Sequence, residues 1–212
     1  MTDGIAVPAP PSPETVNSRT VLGVCASLKP APGRQQKSAA RGLLYYALGA
    51  LVPIYPNVML LDLRDHVPPP FDGRFPNEHP DRQLQFLHGC IDRAGALLLS
   101  IPAYWSGVSG VFKNFIDVLC GPAYDLPSPS STVFSAKPVG LIVVGADQSS
   151  ARCGEQQARI ILESCGAVLA GPPLAFGNLR DETQSAASLA LLPALAAELA
   201  RSVLTASHAG KI

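Results

Sequence analysis

The chain has 212 residues, room for one domain with a sizeable core, and 47% of them are apolar against 15% charged. Sixteen Lys and Arg balance sixteen Asp and Glu, so no net field draws in nucleic acid or an anionic membrane surface. A small-molecule partner is the class that remains.

Cysteine and histidine usage narrows the chemistry. The five cysteines, Cys25, Cys90, Cys120, Cys153 and Cys165, are odd in number and contain no C-x-x-C pair. That pattern suits reduced thiols in a cytoplasmic protein rather than a disulfide framework or a zinc site. The histidines show neither H-x-x-x-H nor H-E-x-x-H spacing, so no metal site is expected. No apolar run reaches the roughly 18 residues of a membrane span, and the N-terminus lacks the basic-then-apolar layout of a signal peptide.

In chain order, residues 1–18 are rich in Pro and Ser without apolar periodicity and read as a flexible arm. Residues 19–206 read as the folded domain and 207–212 as a tail. The run "TVLGVC" at 20–25 is nearly continuous in apolar residues, as a strand covered on both faces would be. A polar loop follows, then a helix over 36–51 with Ala39, Leu43, Leu44, Ala47 and Leu51 near one face. Residues 57–63 form the second strand. The stretch 64–79 holds four prolines and reads as a long surface connection.

A modest helix spans 81–94, a third strand 96–101 and a third helix 108–120. That helix carries Val108, Val111, Phe112, Phe115, Ile116 and Leu119 at i, i+3, i+4 spacing. After a Pro/Ser-rich link at 121–136 come a fourth strand at 139–144 and a helix over 155–165, stopped by Gly166. Residues 167–169 supply a short fifth strand, 171–181 wander, and an Ala/Leu-rich helix over 182–204 closes the chain. It is interrupted or restarted near Pro193.

Strand–helix alternation with continuous apolar strands implies an α/β three-layer sandwich around a five-stranded parallel sheet. Right-handed crossovers favour the order 2-1-3-4-5, and ligands of such sheets bind where strands 1 and 3 diverge. Three loops meet there. The first offers Ser27, Lys29, Gly33, Arg34, Gln35 and Gln36 before a helix N-terminus, which suits a phosphate but equally a solvated turn. It is neither a G-x-G-x-x-G fingerprint nor a P-loop. The second, Pro102, Ala103, Tyr104, Trp105, Ser106 and Gly107, holds the only tryptophan and suits a flat aromatic ligand or a neighbouring surface. The third, Gly145, Ala146, Asp147, Gln148, Ser149 and Ser150, adds backbone donors, with Asp147 read as an Asx-turn residue. A phosphate site beside a flat aromatic site suggests a mononucleotide with a large ring, and flavin mononucleotide (FMN) fits. No Ser-His-Asp triad is visible, Cys25 reads as a packing residue, and Cys153 opens a predicted helix.

Three segments resemble the NADPH-dependent FMN reductases: "VLGVCASLKPAPGRQQKSAARGLL", "LLLSIPAYWSGVSGVFKNFIDVL" and "KPVGLIVVGADQSSARCGEQQARIILESCGAVL". The middle one matches a P-x-Y…L-K-N-x-x-D pattern through Pro102, Tyr104, Phe112, Lys113, Asn114 and Asp117. The resemblance implies a flavodoxin-like fold, bound FMN, and a homodimer or homotetramer. It also implies hydride transfer from NADPH or NADH to free flavin, a quinone, an azo compound or another small acceptor. Carried over by position, Ser27, Lys29, Arg34 and Gln35 meet the phosphate; 102–107 and 145–148 line the ring. Lys113, Asn114 and Asp117 fall at structural or subunit-contact positions. The chain departs from the family at Ala26, at Pro32, Gly33 and Arg34, and in "ADQSSAR", where glycines are usual. These departures keep a second expectation open, a divergent member acting on a specialised substrate without efficient NAD(P)H reduction. A flavodoxin-type electron carrier is the third, and such carriers are usually strongly acidic where this chain is neutral.

Overall fold

Strand β1 (Val21–Cys25) is buried along its whole length, which only a central strand covered on both faces can be. It pairs in parallel with β2 (Val58–Asp62) on one side and β3 (Ala96–Tyr104) on the other, Val21 lying opposite both Val58 and Ala96. Strand β5 (Pro138–Val144) extends the sheet beyond β3, from Leu97↔Val139 to Pro102↔Val144. The next position is shared by two short strands, β6 (Val168–Leu169) and β7 (Leu174–Phe176), both parallel to β5. The computed structural model describes residues 8–29, 38–53, 55–121, 123, 132–179 and 182–209.

The order β2-β1-β3-β5-β6 is the expected 2-1-3-4-5 arrangement with its fifth position split. Gly171 takes a positive φ of 83° and Pro172 and Pro173 lack N–H donors, so the chain leaves the ladder between β6 and β7. The three residues of β7 fall within the stretch read as irregular; they are too few to show a period.

Alternation along the strands feeds two cores. Leu22, Val24, Leu97, Leu99 and Ile101 pack on one face under α2 (Arg82–Arg93), α3 (Gly110–Cys120) and α4 (Gln148–Ser164). Val21, Cys25, Ala96 and Leu98 pack on the other, under α1 (Ala39–Leu51) and α5 (Glu182–Ala209). Helix α5 runs through Pro193 without interruption and buries Leu192, Leu195, Ala196, Leu199 and Val203. Gly23 and Gly140 let α1 and α5 sit close, since a Cβ there would meet Leu48 and Leu199 side chains at 2.5 and 2.3 Å.

Three expectations need correcting. The segment 8–18 is not a free arm: Leu60 N–H donates to the Ala9 carbonyl, Arg93 donates to the Pro13 carbonyl, and Val16 is buried. The open edge of β2 gives it backbone partners that composition does not reveal. Helix α4 begins at Gln148, seven residues before the expected start at 155. Its first turns bury only Ala151 and Gly154, residues too small to mark an apolar face in sequence. Third, β3 runs on to Tyr104 rather than ending at 101, because Tyr104 pairs with Gly107 of β4 (Gly107–Val108) in a tight hairpin.

Among the described residues, no helix is long and apolar enough to cross a membrane.

Candidate functional site

The crossover after β1 leads to α1 on one face of the sheet, while that after β3 leads to α3 on the other. The two connections therefore part at the C-terminal edge, and a cleft of about 820 Å³ opens between them. That volume lies in the range of cofactor sites. Ser27, Lys29, Ser38 and the first residues of α1, Ala39 and Ala40, form its β1 side. Pro102, Ala103 and Tyr104 from β3, with Val144, Gly145 and Ala146 after β5, form the wall beside them, and Asn178 and Leu179 close it.

The β1 side is built for an anion. Ser38 is the N-cap of α1, its hydroxyl accepting from Arg41 N–H at 3.2 Å and donating to the Ser27 hydroxyl at 2.8 Å. The helix N-terminus and its first amides thus open onto the cleft beside two hydroxyls and the Lys29 ammonium. Beneath them Arg41 is 1% exposed and paired with the buried Asp62. Burial works against the charge on Arg41, and the Asp62 carboxylate outweighs it, holding the guanidinium above its ordinary range.

The opposite wall is flat and small-featured. Lys29 Nζ stands 5.6 Å from the centre of the Tyr104 ring, within reach of a cation–π contact. Burial raises the Tyr104 phenol above its ordinary value, with the Ser27 hydroxyl opposing it, so the phenol is a proton donor at neutral pH. Cys25, directly under this wall, is pushed up to about 12, first by burial and then by the Asp62 charge, and is a protonated packing residue.

Of the residues expected from sequence, Ser27, Lys29, Pro102, Ala103, Tyr104, Gly145 and Ala146 come together around the cleft. Arg34 and Gln35 lie outside the described residues. Trp105, Ser106, Gly107, Asp147 and Gln148 do not line it. Trp105 is fully exposed at the tip of the β3–β4 hairpin. Gln148 is turned away, its amide donating to the Ala175 carbonyl and accepting from Gly177 N–H, both at 3.0 Å. Asp147 is the N-cap of α4, accepting from Ser150 N–H at 2.7 Å. Cys153 sits in the second turn of that helix rather than at its start. Asn114 is structural too: it accepts from Phe71 N–H and donates to the Pro69 carbonyl, pinning the proline-rich connection to α3.

Sequence reasoning missed Ser38, Ala39, Ala40, Val144, Asn178 and Leu179. Ser38 stands just before an Ala/Leu-rich helix, a legible N-cap signal. Asn178 follows Gly177 and adopts a positive φ of 53°, a conformation Asn tolerates.

Asp147 carries a testable pH dependence. Its carboxyl is held below the usual 3.8, chiefly by the Ser150 N–H and then the Ser150 hydroxyl. A depressed folded value means the cap stabilises α4 above the unfolded pKa and is lost as pH falls through the folded one. Asp147→Ala is therefore expected to lower the Tm at pH 7, with the gap to wild type narrowing on acidification below pH 3.8. Equal melting temperatures at pH 7 would refute the cap.

The donor set fits FMN: hydroxyls, an ammonium and a helix N-terminus for a phosphate, then small residues and a tyrosine for a planar ring. The fold is shared with an oxidoreductase from Corynebacterium diphtheriae (TM-score 0.61, 16% identity, 88% of this chain and 97% of that one). It is likewise shared with FerB, a flavoenzyme NAD(P)H:(acceptor) oxidoreductase from Paracoccus denitrificans (TM-score 0.59, 16% identity, 86% and 98%). An azoreductase from Bacillus anthracis str. Sterne is similar too (TM-score 0.58, 15% identity, 84% and 98%). The family model for NADPH-dependent FMN reductase matches residues 19–180. The chain belongs to the NADPH-dependent FMN reductase family, flavodoxin-like enzymes with FMN as cofactor and NAD(P)H as reductant.

Proposed function

We propose that this reductase passes reducing equivalents to a small planar acceptor of the free-flavin, quinone or azo class. The observation that carries the reading is the cleft, which joins an anion-binding end to a flat wall and stays open to solvent beside Tyr104. When bound, FMN supplies the hydride relay between NAD(P)H and acceptor, so no side-chain acid or base is required for that step. The protein binds and orients. Ser27, Lys29 and Ser38 hold the phosphate with the first amides of α1, and Arg34 and Gln35 remain candidates for the same end. Pro102, Ala103 and Tyr104 support one part of the ring, Gly145 and Ala146 another. Trp105 stands next to this wall with its indole in solvent, where a flat acceptor can stack on it. Similarity in fold to a flavoenzyme NAD(P)H:(acceptor) oxidoreductase and to an azoreductase supports the acceptor class.

We also propose a homodimer or homotetramer, supported by the part-exposed apolar side chains Val108 of β4 and Val111 in the first turn of α3. A cytoplasmic location agrees with five free cysteines.

The test is direct. Purified protein loaded with FMN is expected to bleach near 450 nm when NADPH or NADH is added anaerobically, and to recover its colour on addition of a quinone, an azo dye or free FMN. Protein that bleaches but is reoxidised by none of the three overturns the acceptor class. Protein that takes up no FMN overturns the whole reading.

A further inference from the structure

Arg41 is the most deeply buried cation of the described residues, yet it does not reach the cleft. Its guanidinium makes at least four hydrogen bonds. Nε and Nη2 donate to the two Asp62 oxygens, the second at 3.0 Å. Nη1 donates to the Lys29 carbonyl at 2.7 Å and Nη2 to the Ser27 carbonyl at 2.9 Å. Asp62 in turn ends β2 and accepts from Arg64 N–H at 3.0 Å. One side chain therefore ties together the loop after β1, the end of β2 and the first turn of α1, which meet around the anion end of the cleft.

This arrangement has a charge consequence. The carbonyls of Ser27 and Lys29 are negative dipole ends within the segment that faces the ligand. Engaged by Arg41, they point into the protein, and what remains toward the cleft is the Ser27 and Ser38 hydroxyls, the Lys29 ammonium and the α1 N-terminus. Asp62 neutralises Arg41, so the pair adds little attraction of its own for an anion. Its effect is on geometry. Lysine cannot replace it, because an ammonium lacks the planar fork needed to grip Asp62 by two bonds and reach two carbonyls as well.

We infer that Arg41, held by Asp62, is a positioning residue that makes the anion end of this cleft selective for the phosphate of the flavin nucleotide, by turning the Ser27 and Lys29 carbonyls away from it. The inference rests on the reading of the cleft as an FMN site.

The experiment titrates apoprotein with FMN and, separately, with riboflavin, which has the same ring and no phosphate, following flavin fluorescence. The variants are Arg41→Lys and the paired replacement Arg41→Met with Asp62→Leu, which removes both charges together and so leaves no unpaired one in the core. Wild type is expected to prefer FMN over riboflavin. Both variants are expected to lose FMN affinity at least tenfold while riboflavin affinity stays within about twofold, so the preference collapses. A merely structural role moves the two flavins in parallel, and that result overturns the proposal, as does unchanged FMN affinity in either folded variant. Wild type binding FMN, with the preference kept in the variants, refutes the role of Arg41 alone. Wild type binding neither flavin refutes the functional reading and this inference with it.

Discussion

Gly177→Ala is expected to destabilise the protein by about 3 kcal/mol or more, at the upper end of what overpacking costs. A Cβ at this position would lie 2.1 Å from Gln148 N, 2.2 Å from Asp147 C and 2.4 Å from Gln148 Cα. These are backbone atoms at the capped start of α4, so no rotamer change can make room. Either β7 or the helix N-terminus must shift. Two hydrogen bonds lock the same joint, the Gln148 amide accepting from Gly177 N–H and donating to the Ala175 carbonyl. The next two residues, Asn178 and Leu179, line the cleft. The shift is therefore also expected to weaken FMN binding by roughly tenfold, equivalent to about 1.4 kcal/mol. Thermal unfolding and an FMN titration measure both effects. Gly42→Ala is the control: nothing lies within 4 Å of its Cβ, and the residue is interior to α1. There the helix propensity of Ala should add about 0.5–1 kcal/mol of stability. If both substitutions behave alike, tight packing at the β7–α4 joint is not what Gly177 provides.

The contrast between these glycines shows what was legible in the sequence. Strands β1, β2, β3 and β5 and helices α1, α2 and α3 carry enough large apolar residues to declare their period, so the sheet order and the position of the cleft followed from pattern alone. Where small residues do the packing, the pattern is silent. Helix α4 seats itself through Ala151, Gly154 and Ala158, and its first turn reads as a polar loop. That is why Asp147 and Gln148 were expected at the ligand and are instead a helix cap and a strand clamp. The site showed the same division. Ser27, Lys29 and Tyr104 could be assigned from loop position and from a resembling motif. Arg41 could not, because an Arg among apolar helix positions reads as a solvated surface charge until Asp62 is seen to end the neighbouring strand at the same depth. Long-range pairing of two buried charges leaves no local signal.

Trp105 and Ser106 form the two-residue connection of the β3–β4 hairpin, and both have positive φ, 53° and 59°. Such hairpins favour Asn-Gly because in this region Cβ crowds the following carbonyl oxygen, at a cost of about 1–2 kcal/mol for an ordinary residue, while Gly has no Cβ and the short Asn amide bonds locally. The strained turn is nevertheless held firmly: Gln157 of α4 donates from its amide to the Ser106 carbonyl at 3.1 Å. A Trp kept fully exposed on a clamped, unfavourable turn is costly to stability, which agrees with the acceptor contact proposed for it above. Replacing the pair, Trp105→Asn with Ser106→Gly, is therefore expected to raise stability by about 1–2 kcal/mol, or roughly 3–6 °C in Tm for a chain of this size. FMN affinity should change little, since neither residue lines the cleft. The KM for a planar acceptor should rise about three- to tenfold, the worth of one aromatic stacking contact. An unchanged Tm would mean that the positive φ angles store no strain. A more stable variant with unaltered acceptor KM would separate the two halves of the argument, leaving the turn strained but removing Trp105 from the acceptor's path.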